Sequence, residues 1–181
     1  MNDTAASALR YDRRSIVLHW VTAALVGLLW ALGQTIDWFP KVEPRIAARS
    51  VHIVLGISLA IVLAWRIGWR LRAGAALPPA AGWLGRVGTL THKALYLLLI
   101  VTLALGVANA WVRGDTIFHL LTIPAFEPGN KSLRTTVEDW HGLAANILLF
   151  AALFHAAAGL LHHYLFNDDV LQRMLPLRSR R

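Results

Sequence analysis

The stretch DWHGLAANILLFAALFHAAAGLLHHY, residues 139–164, decides the fold. Over 142–166 the chain carries no Asp, Glu, Lys or Arg, a run long enough for one helical crossing of a bilayer. His141 stands just before it, and His155, fourteen positions later, lies in its interior. A helix turns about 100° and rises about 1.5 Å per residue, so this step returns to nearly the same face roughly 21 Å further along. Ionisable groups at membrane depth are costly and mark function, and imidazole is a common axial ligand of haem iron. The spacing suits two haems stacked one above the other. His19 and His52, inside or at the edge of two other apolar runs, offer the second ligand for each. The expectation is two b-type haems.

Composition agrees. Of 181 residues 56% are hydrophobic and only 15% charged, more apolar surface than a soluble core of this size buries. The absence of cysteine excludes disulfides, zinc-thiolate sites, iron-sulfur clusters and covalently attached haem, and leaves histidine as the metal ligand. The net charge of +8 does not point to nucleic acid, because the arginines flank apolar runs instead of alternating with stacking aromatics. They serve better as topology signals.

The expected fold is all-α, an integral membrane four-helix bundle forming a single domain over residues 1–181, with spans near 16–36, 50–72, 88–112 and 141–167. Arg66, inside the second, can snorkel toward the headgroups. Gly74, Pro78, Pro79 and Gly82 mark the turn between spans two and three, and Pro124, Pro128 and Gly129 interrupt the loop before span four. Trp38, Trp69, Trp83, Trp111 and Trp140 lie near span ends, where aromatic rings favour the interface. Twelve of the 18 Lys and Arg residues fall in the N-terminal segment, the second loop and the C-terminal segment, which places both termini in the cytoplasm. The first span is read as an uncleaved helix, too long for a signal peptide.

This orientation sorts the histidines by depth. His52 and His141 begin spans at the outer face and can share an outer haem; His19 and His155 can share an inner one, with His92 as the alternative to His19. His92 otherwise reads as a supporting or quinone-site residue. His162, seven residues after His155 on the same stripe, suits a haem propionate or a quinone carbonyl. His163 falls off the stripe, and His119 is expected in solvent. Ala23, Gly56 and Gly159 each follow a ligand histidine by one turn and leave clearance for a porphyrin.

The segments Arg14-Ser15-Ile16-Val17-Leu18-His19-Trp20, Val51-His52 with Gly56-Ile57-Ser58, Asp139-Trp140-His141, Phe154-His155-Ala156-Ala157-Ala158 and His162-His163-Tyr164 resemble the bacterial dihaem cytochrome b561 family. The resemblance runs from about Tyr11 to Pro176 and includes the tail Leu171, Arg173, Met174, Leu175 and Pro176. It implies His19 with His155 and His52 with His141 as axial ligands of two b haems in a bacterial inner membrane. It further implies a superoxide:ubiquinone oxidoreductase, with superoxide as donor at the outer face and ubiquinone as acceptor. Ligation by two histidines leaves no open iron position for oxygen. The outer loops carry six basic and six acidic residues, so attraction of an anion there must be local. Arg45, Arg49, Arg113, Lys131 and Arg134 are the basic residues from which that mouth can be drawn, with Arg113, Lys131 and Arg134 the first candidates. Two other classes remain open: a cytochrome b module passing electrons between quinone and a redox partner protein, and a haem-free proton or solute carrier.

Overall fold

The computed structural model describes residues 10–73 and 82–175. The expected turn residues Gly74, Pro78 and Pro79, and Pro176 with the tail arginines Arg178, Arg180 and Arg181, lie outside the described residues. Four long helices cover most of the chain: α1 (Arg13–Thr35), α2 (Glu43–Ala73), α3 (Gly82–Arg113) and α4 (Lys131–Tyr164). Each is long and apolar enough to cross a membrane. The protein is an all-α membrane bundle with almost no sheet.

The helices extend past the apolar runs at most ends. Helix α4 begins ten residues before His141, where the Asn130 side chain accepts the Leu133 N–H at 3.0 Å and so caps the first turn. It closes at Tyr164. Helix α1 is capped by Asp12, which accepts the Ser15 N–H at 3.0 Å and the Trp69 indole N–H at 3.1 Å. That second bond ties the start of α1 to the end of α2.

Helix α1 packs along α2 and α3 along α4, with α1–α4 and α2–α3 contacts closing the ring. Leu29, Leu59, Leu63, Leu99 and Leu148 form the buried centre. The outward faces are apolar and exposed, as a lipid-facing surface requires: Ile61, Leu97, Val107 and Phe150 are examples. Trp38, Trp83, Trp111 and Trp140 are exposed near helix ends, while Trp69 is half-buried through its bond to Asp12.

Between α3 and α4 the chain forms a small antiparallel hairpin, β1 (Thr116–Ile117) with β2 (Leu121–Thr122). Phe118 and His119 turn it with φ of 50° and 59°. Gly114 starts this connection at φ +67°, and a Cβ there would lie 2.7 Å from the Ala125 Cβ, so no larger residue fits. The fully buried Ser50 of α2 pins the hairpin: its hydroxyl accepts the Phe118 N–H at 2.9 Å and lies 3.1 Å from the Thr116 carbonyl. The hairpin defines one end of the bundle, here the hairpin side. At the opposite, terminal side, the segment after α4 returns to α1, where Trp20 donates its indole N–H to the Met174 carbonyl at 2.8 Å.

Candidate functional site

Each helix carries two interior positions separated by the step that relates His141 to His155, and the eight residues meet at two levels. On α1 these are His19 and Gly33, on α2 His52 and Arg66, on α3 His92 and Gly106, on α4 His141 and His155. Neighbouring helices are antiparallel, so Gly33, His52, Gly106 and His141 gather on the hairpin side and His19, Arg66, His92 and His155 on the terminal side. Midway along each step lie Val26, Leu59, Leu99 and Leu148, all in or against the buried centre. The interior is polar, apolar, then polar again.

On the hairpin side the His52 and His141 rings face each other with centroids 6.2 Å apart and planes at 88°. On the terminal side the His19 and His155 centroids are 6.3 Å apart, at 74°. Two imidazoles on opposite sides of one metal ion need a bond of roughly 2.0 Å on each side plus about one ring radius, close to 6 Å between centroids. Both pairs meet that requirement. Among the described residues no group of three or more His, Cys, Asp or Glu is placed to hold a bare ion, and a facing pair of imidazoles is the arrangement that suits the two axial positions of a haem.

The surroundings fit a haem ligand set. The His141 Nδ1 lies 3.2 Å from the Thr102 carbonyl, so it donates there and leaves Nε2 as the lone pair for iron. The His52 Nδ1 is buried without a hydrogen-bond partner, so this ring lacks the acceptor that the Thr102 carbonyl gives His141. Glycine provides the clearance. A Cβ on Gly106 would lie 3.1 Å from the His141 Cε1, and one on Gly33 would lie 3.4 Å from the His52 Cε1. The close-packed glycines are thus on the facing helices. Gly56, one turn after His52, meets nothing within 4 Å, and Gly159 touches only Leu171 at 4.0 Å.

His92 joins the terminal-side group, its ring centroid 5.3 Å from that of His155. That is shorter than the span across an iron, and it suits a residue behind the ligand. His162 lies beyond this level and donates from Nδ1 to Asp168. His119 pairs with Glu43 at 3.1 Å on the exposed face of the hairpin.

Just outside the hairpin-side histidines sits an ion cluster. Arg49, three residues before His52, reaches Asp115 at 3.3 Å; Arg113 lies 3.7 Å from Asp115 and 2.8 Å from Glu138, itself three residues before His141. Burial pushes the Asp115 carboxyl above its ordinary range, and the two guanidiniums beside it only partly offset this. Arg113 is therefore buried and already answered by two carboxylates, whereas Lys131 and Arg134 are exposed on the first turns of α4. Arg49, Gly33, Gly106, Arg66 and the Thr102 carbonyl are site features that the histidine pattern alone does not reveal; applying the His141-to-His155 step to every helix finds three of them.

The chain is similar to known proteins over nearly its whole length. The family model described as prokaryotic cytochrome b561 matches residues 10–177. Cytochrome b561 homolog 1 of Escherichia coli (strain K12) is 30% identical over 174 residues, covering 94% of this chain and 99% of that protein. A protein named probable superoxide oxidase CybB from Yersinia pestis is 30% identical, covering 92% and 96%, and a cytochrome b562 of Cereibacter sphaeroides is 31% identical, covering 91% and 94%. With two facing histidine pairs inside a four-helix membrane bundle and a family match across the described residues, the chain belongs to the prokaryotic cytochrome b561 family, membrane cytochromes that carry electrons on b-type haem.

Proposed function

We propose that this chain is a superoxide:ubiquinone oxidoreductase of the bacterial inner membrane, with both termini in the cytoplasm and the hairpin side facing outward. The observation that carries the reading is the pair of histidine couples, 6.2 and 6.3 Å across, held at two levels by the same four helices. His52 with His141 and His19 with His155 would hold two b haems, which supply one-electron relay between the two faces. Two superoxide ions each give up one electron and leave as oxygen; one ubiquinone takes both electrons and two protons to become ubiquinol. The name of the Yersinia relative supports the donor.

The chain's own residues have distinct tasks in this scheme. Thr102 fixes the His141 tautomer through its carbonyl. Leu59, Leu99 and Leu148 exclude water between the levels, so that electrons pass and ions do not. Lys131 and Arg134 draw the anion to the hairpin side, and Arg113 and Arg49 hold the paired charges above His52 and His141. His92 supports His155, and His162, with Asp168 on its Nδ1, would donate from Nε2 to a haem propionate or a quinone carbonyl when both ring nitrogens carry hydrogen. A second reading, an electron-transfer module with a redox partner protein, is favoured by the balance of six basic and six acidic residues in the loops assigned to the outer face. Family membership removes the haem-free carrier.

Rapid mixing of the purified, oxidised protein with superoxide, without any partner protein, tests the proposal. Fast second-order haem reduction, followed by ubiquinone-dependent reoxidation, is expected. Haems that superoxide does not reduce would leave the partner-protein reading.

A further inference from the structure

The two levels share a plan but differ at two positions. Where the hairpin side places Gly33 against His52 and Gly106 against His141, the same helical steps place Arg66 against His19 and His92 against His155. Arg66 is half-buried, its Nη2 3.2 Å from the His19 Nδ1 and its guanidinium 5.2 Å over the Tyr96 ring. No carboxylate pairs with it among the described residues. An unpaired cation at such a place is costly, and its charge acts through a medium that screens it weakly.

We propose, on the reading that two haems are bound, that Arg66 is the positioning charge that sets the terminal-side haem at a higher potential than the hairpin-side haem. A guanidinium only donates, so it either takes the His19 Nδ1 lone pair or, when Nδ1 carries the hydrogen and Nε2 binds iron, turns to the nearest acceptor. The cavity beside it, lined by Tyr11, Asp12, Arg70, Tyr96 and Met174, gives it room; the Asp12 carboxylate there already accepts from Ser15 and Trp69, and the porphyrin carboxylates are acceptors of matching chemistry. The contact with the Nδ1 lone pair belongs to the ring without iron on Nε2; in the second position the positive charge beside the haem favours ferrous over ferric iron. The hairpin side has the opposite bias: the His141 Nδ1–H donates to a carbonyl, which makes the ring a stronger donor to iron. Electrons entering on the hairpin side therefore run downhill to the terminal side.

Spectroelectrochemical titration of the purified protein, after its haems are counted, tests this. The wild type should titrate in two components, and the one that survives in His52→Ala should be the higher. Arg66→Gln should lower that component so that its reduced-to-oxidised ratio at fixed potential falls about tenfold or more, without moving the other. Arg66→Lys, which keeps the charge, should titrate near wild type. If the Gln variant does not hold its haem, the order of the two wild-type components decides the matter. A surviving component that is the lower one, or an Arg66→Gln titration that matches wild type, overturns the inference while the two-haem reading stands. Fewer than two haems in the wild type overturns both.

Discussion

Gly106→Ala is expected to separate helix stability from haem binding. The added Cβ would sit 3.1 Å from the His141 Cε1, against an optimum of about 3.5–4.0 Å for two carbons. The ring must yield a few tenths of an ångström, and its Nδ1 bond to the Thr102 carbonyl, already 3.2 Å long, is at the far end of the useful range. Forcing the side chain off its rotamer costs about 0.5–1.5 kcal/mol, or up to about tenfold in affinity for the haem that His141 would hold. Exchanging glycine for alanine inside a helix returns up to about 1 kcal/mol to the fold. The two effects nearly offset in the fold, so thermal stability should change little while the rate of haem loss to an apoprotein acceptor rises by up to about tenfold. Gly27→Ala, where nothing lies within 4 Å, is the control, and Gly33→Ala, at 3.4 Å from the His52 ring, should fall between them. Haem transfer as slow in Gly106→Ala as in Gly27→Ala would refute the argument that close packing positions His141.

Three further outcomes are expected. Lys131→Gln and Arg134→Gln should each slow haem reduction by superoxide several-fold at low salt, and the difference should shrink as ionic strength rises, since screening sets in over about 8 Å at physiological salt; Arg113→Gln should have a smaller steering effect, because its charge is already paired. His92→Ala should keep both haems yet alter the absorption band of one, read by low-temperature spectroscopy, and loss of a haem would make His92 a ligand. The Asp168 carboxyl, which burial alone would raise, is held below its ordinary range by the His162 and Val170 hydrogen bonds, so the stability it contributes is complete above that range and is lost as pH falls through the lowered value. Hydrogen exchange of residues 171–175 should accelerate across that acid window in the wild type and not in Asp168→Asn.

The four apolar stretches were legible because a bilayer admits only helices or closed barrels, and uncharged runs as long as 94–112 and 142–166 suit helices. Helix ends were less so. Apolar composition marks the crossing, whereas the helix continues until a cap such as Asp12 or Asn130 closes it, and solvated turns like 131–136 carry no hydropathy signal. The hairpin gave no sign, because its turn places Phe118 and His119 at positive φ, where asparagine and glycine are usual. Facing histidines could be found from the spacing of His141 and His155 on α4. Gly33 and Gly106 were missed because a glycine that faces an imidazole lies on the neighbouring helix, where spacing along one helix gives no sign of it. Arg66 read as a snorkelling residue, and only its contact with His19 shows that it belongs to the interior.

The central claim, two b haems each held by one histidine pair, is tested most directly by counting haem per purified chain with the pyridine haemochrome assay, in the wild type and in four single variants. The account predicts two haems, both released by acidic organic solvent because no cysteine tethers them. One haem should remain in each of His52→Ala, His141→Ala, His19→Ala and His155→Ala, with the first two sharing one residual spectrum and the last two another. A wild-type count of one or none, or residual spectra that group His52 with His19 or His155 instead of His141, would contradict it.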